Sequence, residues 1–561
     1  MLFPKNILAQ TIIDLCYKKG LKNVVISPGS RNAPLTLGFI NNNFFKTYSI
    51  VDERSAAFFA LGISQQTKLP TILVCTSGSA LLNYYPAISE AYFSNIPLIV
   101  LSADRPSKFL NIGDGQTINQ KNVFRNNIGY STELVDYKKS FFKFFFNFSK
   151  NNNFRINKAI NISLEKNTPV HINIPLSEPL YELVKNKTVE THNVKRKSVF
   201  RGNVNFKNLK NKWFLSIKKI VLIGVLNPNS LSKKTILNLA NDPSVLVLTE
   251  NTSNVHHTSF YNKIDHLIAS LNQNQISKFK PDILVSIGGM IISKKIKNLF
   301  RDFNKVEHWH VGTNKALNTY FSLKKHVNVD VNIFFDRIYA TKNKTISKYQ
   351  SYWDNIVEIR SIKHKSYLST LEFCDFKIYE AILSSLPSDS ILHLSNSSTI
   401  RYSQLFDINH SINVFCNRGT SGIDGSTSTA IGASVVSNKQ TTIITGDLSF
   451  FYDNNALWNS YIPSNFRIII INNKGGGIFK ILTTKNDTED FENYFETKHS
   501  LLANNLSKMH DLEYYQADSL ANLKSSLIQF YKISKKPKIL EVVSNNKNNH
   551  KLLLNYFNNL Q

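Results

Sequence analysis

The 561-residue sequence has few cysteines, and none of them is arranged to bind a metal or to build a disulfide framework. The four cysteines lie far apart and include no Cys-x-x-Cys pair: Cys16, Cys75, Cys374 and Cys416. This usage fits a reducing cytoplasm rather than a secreted, disulfide-stabilised protein. Residues 1–20 lack a basic segment followed by an apolar block, so they predict an amphipathic helix and not a secretion signal.

Long hydrophobic runs are also missing. The longest aromatic cluster, at residues 141–148, is interrupted by Lys143 and Asn147. A helix that spans a membrane needs about 18 or more consecutive apolar residues. We therefore expect a cytoplasmic protein without a membrane partner.

Acidic residues are scarce relative to basic ones, with 39 Asp and Glu against 67 Lys and Arg and a formal net charge of +28. Such an excess is typical of proteins that bind nucleic acid through its phosphates. Here the lysines are spread along the whole chain beside abundant Asn and Ile, without a nucleic-acid-binding motif. The sequence therefore predicts a solvated basic surface and no nucleic-acid partner, although a positive cleft would attract small dianionic substrates.

Apolar, β-branched runs alternate with helical patterns in three successive segments, which predicts an α/β protein of three doubly wound parallel-sheet domains. The predicted strands are residues 24–27, 71–76, 98–102 and 170–174, then 220–224, 245–249, 283–288 and 306–311, then 391–394, 441–445, 467–471 and 538–543. Predicted helices include residues 55–65, 80–94 and 426–433. The predicted divisions are a first domain at 1–182, a linker at 183–212, a central domain at 213–345, a helical linker at 346–375 and a last domain at 376–561.

Two glycine-rich stretches in the last domain each follow a predicted strand: Gly-Asp-Leu-Ser at residues 446–449 and Asn-Asn-Lys-Gly-Gly-Gly at residues 472–477. Both would emerge at the carboxyl edge of a parallel sheet, so Asp447 and Asn473 would lie close together. Their oxygens suit Mg²⁺, which also takes water and phosphate ligands. The spacing leaves room for a helix, predicted from Asn454 onward, and a return strand. Each stretch alone is explained equally well by an Asp helix cap or an Asn-Gly turn, but together they favour a clamp for a metal and a diphosphate.

This arrangement resembles the metal-binding unit of the thiamine diphosphate enzymes. The resemblance implies that Asp447, Asn473 and the Gly475 carbonyl hold Mg²⁺ or Mn²⁺, with the choice between Asn472 and Asn473 left open. It also implies an acid beside the pyrimidine ring of the cofactor. Glu53 is the best-placed candidate, since it follows a predicted strand at the start of a helix, although that position alone is explained more simply by the preference for acids in a first helical turn.

Further motifs occur at residues 27–36 (Ser-Pro-Gly-Ser-Arg-Asn-Ala-Pro-Leu-Thr), 103–106 (Ala-Asp-Arg-Pro), 417–425 (Asn-Arg-Gly-Thr-Ser-Gly-Ile-Asp-Gly) and 473–479 (Asn-Lys-Gly-Gly-Gly-Ile-Phe). In these motifs the chain closely resembles the 2-succinyl-5-enolpyruvyl-6-hydroxy-3-cyclohexene-1-carboxylate synthases, a thiamine diphosphate-dependent family of menaquinone biosynthesis. The likeness spans the first and last domains in order. The central domain matches only in length and coarse pattern.

The resemblance implies a set of site residues. Those expected to contact the cofactor are the catalytic acid Glu53 together with Pro28, Ser421, Ile423, Asp447, Leu448, Ser449, Asn473, Gly475, Ile478 and Phe479. Ile423 would wedge between the two cofactor rings. Those expected to bind the distal carboxylate of a succinyl unit are Ser397, Arg401 and Arg418. Those expected to face isochorismate are Ser30, Arg31, Arg105, Gln116, Lys294 and Lys295.

The resemblance further implies a transferase that decarboxylates 2-oxoglutarate and adds the resulting succinyl carbanion to isochorismate. The active unit would be a homodimer or a dimer of dimers, with each active site across a subunit interface. A different thiamine diphosphate-dependent 2-ketoacid decarboxylase or carboligase, such as an acetolactate synthase relative acting on pyruvate, is an alternative that would not need Arg401 and Arg418. A catalytically inactive basic homologue is another, against which intact Glu53 and Asp447 argue.

Overall fold

The computed structural model describes residues 2–136, 142–195, 204–303, 306–340, 345–482, 488–544 and 548–561. This part of the chain contains three six-stranded sheets, each wholly parallel and flanked by helices, as predicted. Within these ranges no helix combines the length and the apolar character that crossing a bilayer requires. The side chains of the aromatic cluster at 141–148 and residues 196–203 of the predicted linker lie outside the described residues.

The first sheet has the strand order β3-β2-β4-β5-β7-β6. Its central strands read Thr-Ile-Leu-Val-Cys and Leu-Ile-Val-Leu-Ser-Ala-Asp and are buried throughout, as expected for parallel strands covered on both faces. The strands are β1 (Phe3–Pro4), β2 (Asn23–Ile26), β3 (Lys46–Ser49), β4 (Thr71–Cys75), β5 (Leu98–Asp104), β6 (Tyr130–Glu133), β7 (Val170–Pro175) and β8 (Leu183–Val184), with β1 and β8 paired separately. The helices are α1 (Ile7–Lys18), α2 (Ala33–Ile40), α3 (Glu53–Thr67), α4 (Ser79–Asn83), α5 (Tyr85–Ser94) and α6 (Phe142–Lys166).

The central sheet has the order β11-β10-β9-β12-β13-β14. Its strands are β9 (Lys219–Ile223), β10 (Val245–Leu248), β11 (Phe260–Tyr261), β12 (Ile283–Ile287), β13 (Glu307–Val311) and β14 (Leu323–Val327). Its helices are α7 (Phe206–Leu215), α8 (Lys233–Ala240), α9 (Ile264–Ile268), α10 (Gln273–Phe279), α11 (Lys294–Asp302) and α12 (Val331–Ile338), and α13 (Tyr349–Ser369) leads into the last domain.

The last sheet has the order β16-β15-β17-β18-β20-β19, so the direction of winding reverses between β15 and β17. Its strands are β15 (Ile391–Leu394), β16 (Asn413–Phe415), β17 (Thr441–Gly446), β18 (Phe466–Asn472), β19 (Glu513–Ala517) and β20 (Lys538–Val543). Its helices are α14 (Asp375–Ser385), α15 (Ser398–Ser403), α16 (Ser426–Ser434), α17 (Asp447–Tyr452), α18 (Phe479–Leu482), α19 (Glu489–Phe491), α20 (Asn504–Met509), α21 (Leu520–Phe530) and α22 (Asn549–Asn559).

Three local expectations need correction. The helix predicted over 80–94 is two helices, α4 and α5, because Pro86 has no N–H to donate inside a continuous helix but fits the first turn of a new one. The helix predicted from Asn454 is only a 3₁₀ turn, Asn454–Leu457, since α17 has already begun at Asp447. The predicted surface linker contains the start of α7, whose Leu209 and Trp213 are buried in the core of the central domain.

The first and last domains pack together through α3 and α16. The two helices approach so closely that a Cβ on Gly62 would lie 2.0 Å from the Thr429 carbonyl oxygen, and one on Gly432 would lie 1.9 Å from the Phe59 carbonyl oxygen. Small residues at both crossing positions therefore allow backbone-to-backbone contact, and one hydrophobic core runs through both domains.

Replacing Gly62 by alanine is expected to destabilise the protein by about 1–3 kcal/mol, since the added methyl group must push the helices apart. A lowered melting temperature measures the effect. Gly115→Ala is the control, because a Cβ there meets nothing within 4 Å. Equal melting temperatures for the two variants would contradict the close contact of α3 with α16.

Candidate functional site

A cavity of about 140 Å³ opens at the carboxyl ends of β15, β17 and β18, across the point where the winding of the last sheet reverses. Open α/β sheets bind ligands at this location. Predicted site residues that line it are Ser397, Ile423, Asp447, Leu448, Ser449, Asn473, Gly475, Ile478 and Phe479. The structure therefore brings together most of the predicted cofactor contacts of the last domain.

Asp447 is the first residue of α17 and is only 2% exposed. One carboxylate oxygen accepts a hydrogen bond from the Leu448 amide at 2.7 Å, and the other accepts one from the Gly475 amide at 2.9 Å. His499 Nε2 lies 3.3 Å from the second oxygen. These contacts fix the carboxylate at the cavity wall, and each oxygen keeps a lone pair for a cation.

The structure separates the roles of the two consecutive asparagines. The Asn472 side chain is fully buried and donates to Glu541 at 2.7 Å and to the Leu501 carbonyl at 2.9 Å, while its oxygen accepts from the Lys474 amide. Asn473, in contrast, lines the cavity beside Asp447. Asn472 therefore supports the loop, and Asn473 is the residue whose side-chain oxygen is available for a ligand.

Gly475 occupies a backbone conformation that requires glycine, with φ of +146°. A Cβ there would lie 2.7 Å from the Glu496 carbonyl oxygen. The Gly475 carbonyl accepts a hydrogen bond from the Gly477 amide at 3.0 Å and retains a second lone pair. The glycine run thus lets the backbone turn tightly around the Asp447 carboxylate.

Asp375, the first residue of α14, also lines this cavity and was missed by the sequence reasoning. Burial raises the pKa of its carboxyl to about 6, although hydrogen bonds from the Ser544 and Asn473 side chains oppose the shift. An acid in a first helical turn carries no distinguishing sequence signal. Only the tertiary structure places it against Asn473.

Arg401 and Arg418 lie close enough for their charges to interact. Neither lines the cavity itself, but Arg418 contacts Asn396, which does. Burial lowers the pKa of Arg401, and the Arg418 charge lowers it further. Arg418 Nη1 donates to Asn396 Oδ1 at 2.6 Å, yet the buried Nε atoms of both arginines have no hydrogen-bond partner in the structure. Two neighbouring guanidinium groups with unsatisfied buried donors have the charge and the hydrogen-bonding capacity that an anion requires.

A second group of predicted residues lies at the carboxyl edge of the first sheet. Arg31 and Arg105 line a cavity of about 480 Å³. Arg31 Nη1 contacts the Leu176 carbonyl and Glu178, each at 3.1 Å. Arg105 Nη1 donates to Ser77 Oγ at 2.6 Å and to the backbone carbonyl, not the side chain, of Gln116 at 3.1 Å.

The remaining predicted substrate residues are exposed. Ser30 and Gln116 belong to the same edge of the first domain, whereas Lys294 and Lys295 begin α11 of the central domain. Lys295 Nζ lies 4.0 Å from the centroid of the Phe557 ring. Neither lysine lines the cavity that holds Arg31 and Arg105.

Glu53 begins α3 after the N-cap residue Asp52, as predicted, and is half-buried. Its Oε2 accepts a hydrogen bond from Asn83 Nδ2 at 3.3 Å. It does not line the Asp447 cavity of its own chain. Pro28 lines a third cavity, of about 380 Å³, on the first domain. Ser421 adopts a positive φ of 62° in the 417–425 loop and also does not line the Asp447 cavity.

Comparisons with known proteins show which family and which fold the chain is similar to. Residues 7–125 match the family described as "Thiamine pyrophosphate enzyme, N-terminal TPP binding domain". The fold resembles that of benzoylformate decarboxylase from Polynucleobacter necessarius, with a TM-score of 0.74, 15% identity, and 97% of this chain and 99% of that chain covered. At that identity the likeness establishes the fold alone.

Full-length sequence relatives are more specific, and all three described here are named 2-succinyl-5-enolpyruvyl-6-hydroxy-3-cyclohexene-1-carboxylate synthase. The relative from Flavobacterium johnsoniae is 49% identical over 563 residues, and that from Flavobacterium psychrophilum is 50% identical over 560, each covering 100% of both chains. The relative from Christiangramia forsetii is 48% identical over 573 residues, covering 100% of this chain and 99% of its own. The chain therefore belongs to the 2-succinyl-5-enolpyruvyl-6-hydroxy-3-cyclohexene-1-carboxylate synthase family of thiamine diphosphate-dependent transferases.

Proposed function

We propose that the protein decarboxylates 2-oxoglutarate and adds the succinyl unit to isochorismate, with thiamine diphosphate and Mg²⁺ or Mn²⁺ as cofactors. The observation that carries this proposal is the pair Arg401 and Arg418, whose buried Nε donors are unsatisfied and which reaches the wall of the Asp447 cavity through the contact of Arg418 with Asn396. A substrate with a distal carboxylate explains the pair, because a guanidinium binds a carboxylate through two parallel hydrogen bonds. Pyruvate, the substrate of the acetolactate synthase alternative, has no such group.

The residues of the cavity fit a hard divalent cation. Asp447, Asn473 and the Gly475 carbonyl offer one charged and two neutral oxygens, which leaves positions for diphosphate oxygens and water. The described ranges contain no group of three His, Cys, Asp or Glu side chains arranged to hold a metal. A proposed ligand set with a single carboxylate suits a cation that binds together with an anionic cofactor.

When bound, thiamine diphosphate supplies a nucleophilic carbon and accommodates the electron pair released as CO₂ leaves. Glu53 would hold a proton at the pyrimidine ring nitrogen and so favour the tautomer that activates the cofactor. Ile423 would support the bent cofactor between its rings. The proposed neighbouring contacts are Pro28, Ser421, Leu448, Ser449, Ile478 and Phe479.

The two proposed substrates are both dianions, and the chain offers a cationic group for each. Arg401 and Arg418, with Ser397, would orient the distal carboxylate of 2-oxoglutarate. The proposed isochorismate contacts are Ser30, Arg31, Arg105, Gln116, Lys294 and Lys295. In this arrangement 2-oxoglutarate, which donates the succinyl unit, and isochorismate, which accepts it, bind to separate sets of cationic groups.

We propose a homodimer, or a dimer of dimers, as the active unit. In one chain Glu53 lies outside the Asp447 cavity, and its neighbour Arg54 donates to the Tyr452 carbonyl at 2.7 Å. A second subunit would supply the acid to each cavity. We further propose a cytoplasmic location and no nucleic-acid or membrane partner. The proposed domain divisions lie at 182, 345 and 375, with the central domain beginning at α7 rather than at residue 213.

The direct test combines the purified protein with thiamine diphosphate, Mg²⁺, 2-oxoglutarate and isochorismate and follows loss of isochorismate. CO₂ release from 2-oxoglutarate but not from pyruvate supports the proposal. Faster release from pyruvate would favour the acetolactate synthase alternative. Absence of cofactor uptake together with steeply salt-dependent DNA binding would favour an inactive basic homologue.

Arg401→Met is expected to raise the KM for 2-oxoglutarate about 10- to 100-fold, since a hydrogen bond to a charged group contributes about 1.5–3 kcal/mol. The KM for isochorismate is expected to change little. Arg337→Met, at an exposed position in the central domain, is the charge-matched control. An unchanged KM for 2-oxoglutarate in the Arg401 variant would remove this arginine from the proposed site.

A further inference from the structure

Glu90 is a buried acid in the first domain whose side chain reaches into the last domain. It lies on α5 and is only 1% exposed. Its Oε1 accepts hydrogen bonds from the Gly419 amide at 2.7 Å and from Ser94 Oγ at 2.6 Å. Its Oε2 accepts from the Thr420 amide at 2.7 Å and from Thr420 Oγ1 at 2.9 Å. One carboxylate therefore binds two consecutive backbone amides of another domain.

The bound segment is the loop that follows β16 and carries Arg418. Gly419 is the residue directly after this arginine, and a Cβ on Gly419 would lie 2.5 Å from the Glu90 carbonyl oxygen. The loop thus contacts α5 backbone to backbone as well as through the carboxylate. Asn396 fixes the other side of the loop, because it accepts from Arg418 Nη1 at 2.6 Å and donates to the Asn417 carbonyl at 2.7 Å.

These contacts have an energetic consequence. A buried carboxylate is costly unless its oxygens are hydrogen-bonded, and hydrogen bonds from amides to a charged group are stronger than those between neutral groups. The hydrogen bonds from the Gly419 and Thr420 amides to Glu90 restrict the backbone at 419–420. They therefore also restrict the direction in which the Arg418 side chain projects from the loop. Two parallel hydrogen bonds from a guanidinium to a carboxylate form only when the two planes are closely aligned.

We propose that Glu90 is a positioning residue for 2-oxoglutarate selection: it fixes the 417–420 loop so that Arg418 presents its guanidinium to the distal carboxylate. The inference rests on the proposed function of Arg418. Glu90 itself does not touch substrate. The first domain of a chain thereby sets the substrate-binding geometry of the last domain of the same chain.

Glu90→Gln tests the proposal, because the amide has the size of the carboxylate but places an NH₂ group against a loop amide. The expected result in the cofactor-loaded enzyme is a KM for 2-oxoglutarate raised about tenfold, equivalent to about 1.4 kcal/mol, with kcat and the KM for isochorismate changed less than threefold. Binding of glutarate, measured by calorimetry, is expected to weaken in parallel. If Glu90 had a purely structural role, Glu90→Gln would instead lower the melting temperature and kcat, without a selective rise in the KM for 2-oxoglutarate.

Two control variants separate loop positioning from general damage. Thr420→Val removes one hydroxyl donor but keeps both backbone amides, so its KM for 2-oxoglutarate is expected to remain within threefold. Asp242→Asn alters a buried acid of the central domain that contacts Lys219 at 3.3 Å, and it reports on stability alone. A selective KM change in Asp242→Asn as large as that in Glu90→Gln would overturn the proposal.

A double-mutant cycle with Arg418→Met distinguishes this inference from the proposed function. If Glu90 acts through Arg418, adding Glu90→Gln to Arg418→Met produces no further rise in the KM. Additive effects would overturn the inference and leave the role of Arg418 intact. An unchanged KM in Arg418→Met alone would overturn the proposed role of this arginine and the inference with it.

Discussion

Replacing Glu53 by glutamine is expected to leave thiamine diphosphate bound while turnover falls by about 100-fold or more, the usual size of a positioned acid–base contribution. Glutamine keeps the shape of the side chain but cannot share a proton with the pyrimidine nitrogen. The helix should persist, because the Asp52 side chain caps α3 through the Arg54 and Ser55 amides. Stopped-flow turnover and calorimetric titration with cofactor and Mg²⁺ measure the two quantities separately.

The matched control is Glu190→Gln, which makes the same chemical change at an exposed site in the segment that follows the first domain. It is expected to retain full turnover. Near-normal turnover of Glu53→Gln would remove Glu53 from the role of cofactor activator. Loss of cofactor affinity in Glu53→Gln would instead assign the residue to binding rather than activation.

The sheets could be predicted because parallel strands covered on both faces are continuous apolar runs. The run predicted at 71–76 became β4 at Thr71–Cys75, and that at 391–394 became β15 with the same bounds. Asp447 and Asn473 were predictable for a related reason: each directly follows such a run, and parallel strands end at one edge. The pattern of apolar runs along the sequence is therefore sufficient to place both residues at one edge of the last sheet.

Residues that act through long-range contacts could not be found in this way. Glu90 is the only acid of α5, and its partner Gly419 lies 329 positions further along the chain. The choice between Asn472 and Asn473 depended on Glu541, a strand residue that sequence spacing does not connect to either asparagine. Arg401 and Arg418 were singled out from the sequence, but the burial and the missing partners of their Nε atoms depend on the tertiary structure.

The first domain carries two acids on helices that pack against each other, Glu53 on α3 and Glu90 on α5. Glu90 is directed at the last domain of its own chain, whereas Glu53 is proposed to serve a second subunit. Any shift of the α3–α5 pair would then alter substrate alignment in one active site and cofactor activation in the other. The close α3–α16 contact at Gly62 and Gly432 restrains such a shift.

Asp447→Ala is expected to abolish metal-dependent binding of thiamine diphosphate, with a loss of at least about 100-fold in affinity, since alterations even to groups that support a ligand cost about 10–100-fold. The substitution removes the one charged ligand of the proposed site. It also removes the acceptor of the Gly475 amide at 2.9 Å, so the loop that offers the Gly475 carbonyl loses its restraint. Calorimetric titration with Mg²⁺ present and absent measures the effect.

Two further variants make this result specific. Asp447→Asn keeps an oxygen for the Gly475 amide but removes the charge. Its Mg²⁺-dependent affinity for thiamine diphosphate is therefore expected to lie between that of the wild type and that of Asp447→Ala. Asp389→Asn changes an exposed acid of the same domain at a positive φ of 57°, which asparagine tolerates, and should bind the cofactor normally. Cofactor affinity unchanged in Asp447→Ala would exclude this cavity as the diphosphate site. Equal losses in the alanine and asparagine variants would mean that the charge, rather than the loop contact, provides the binding.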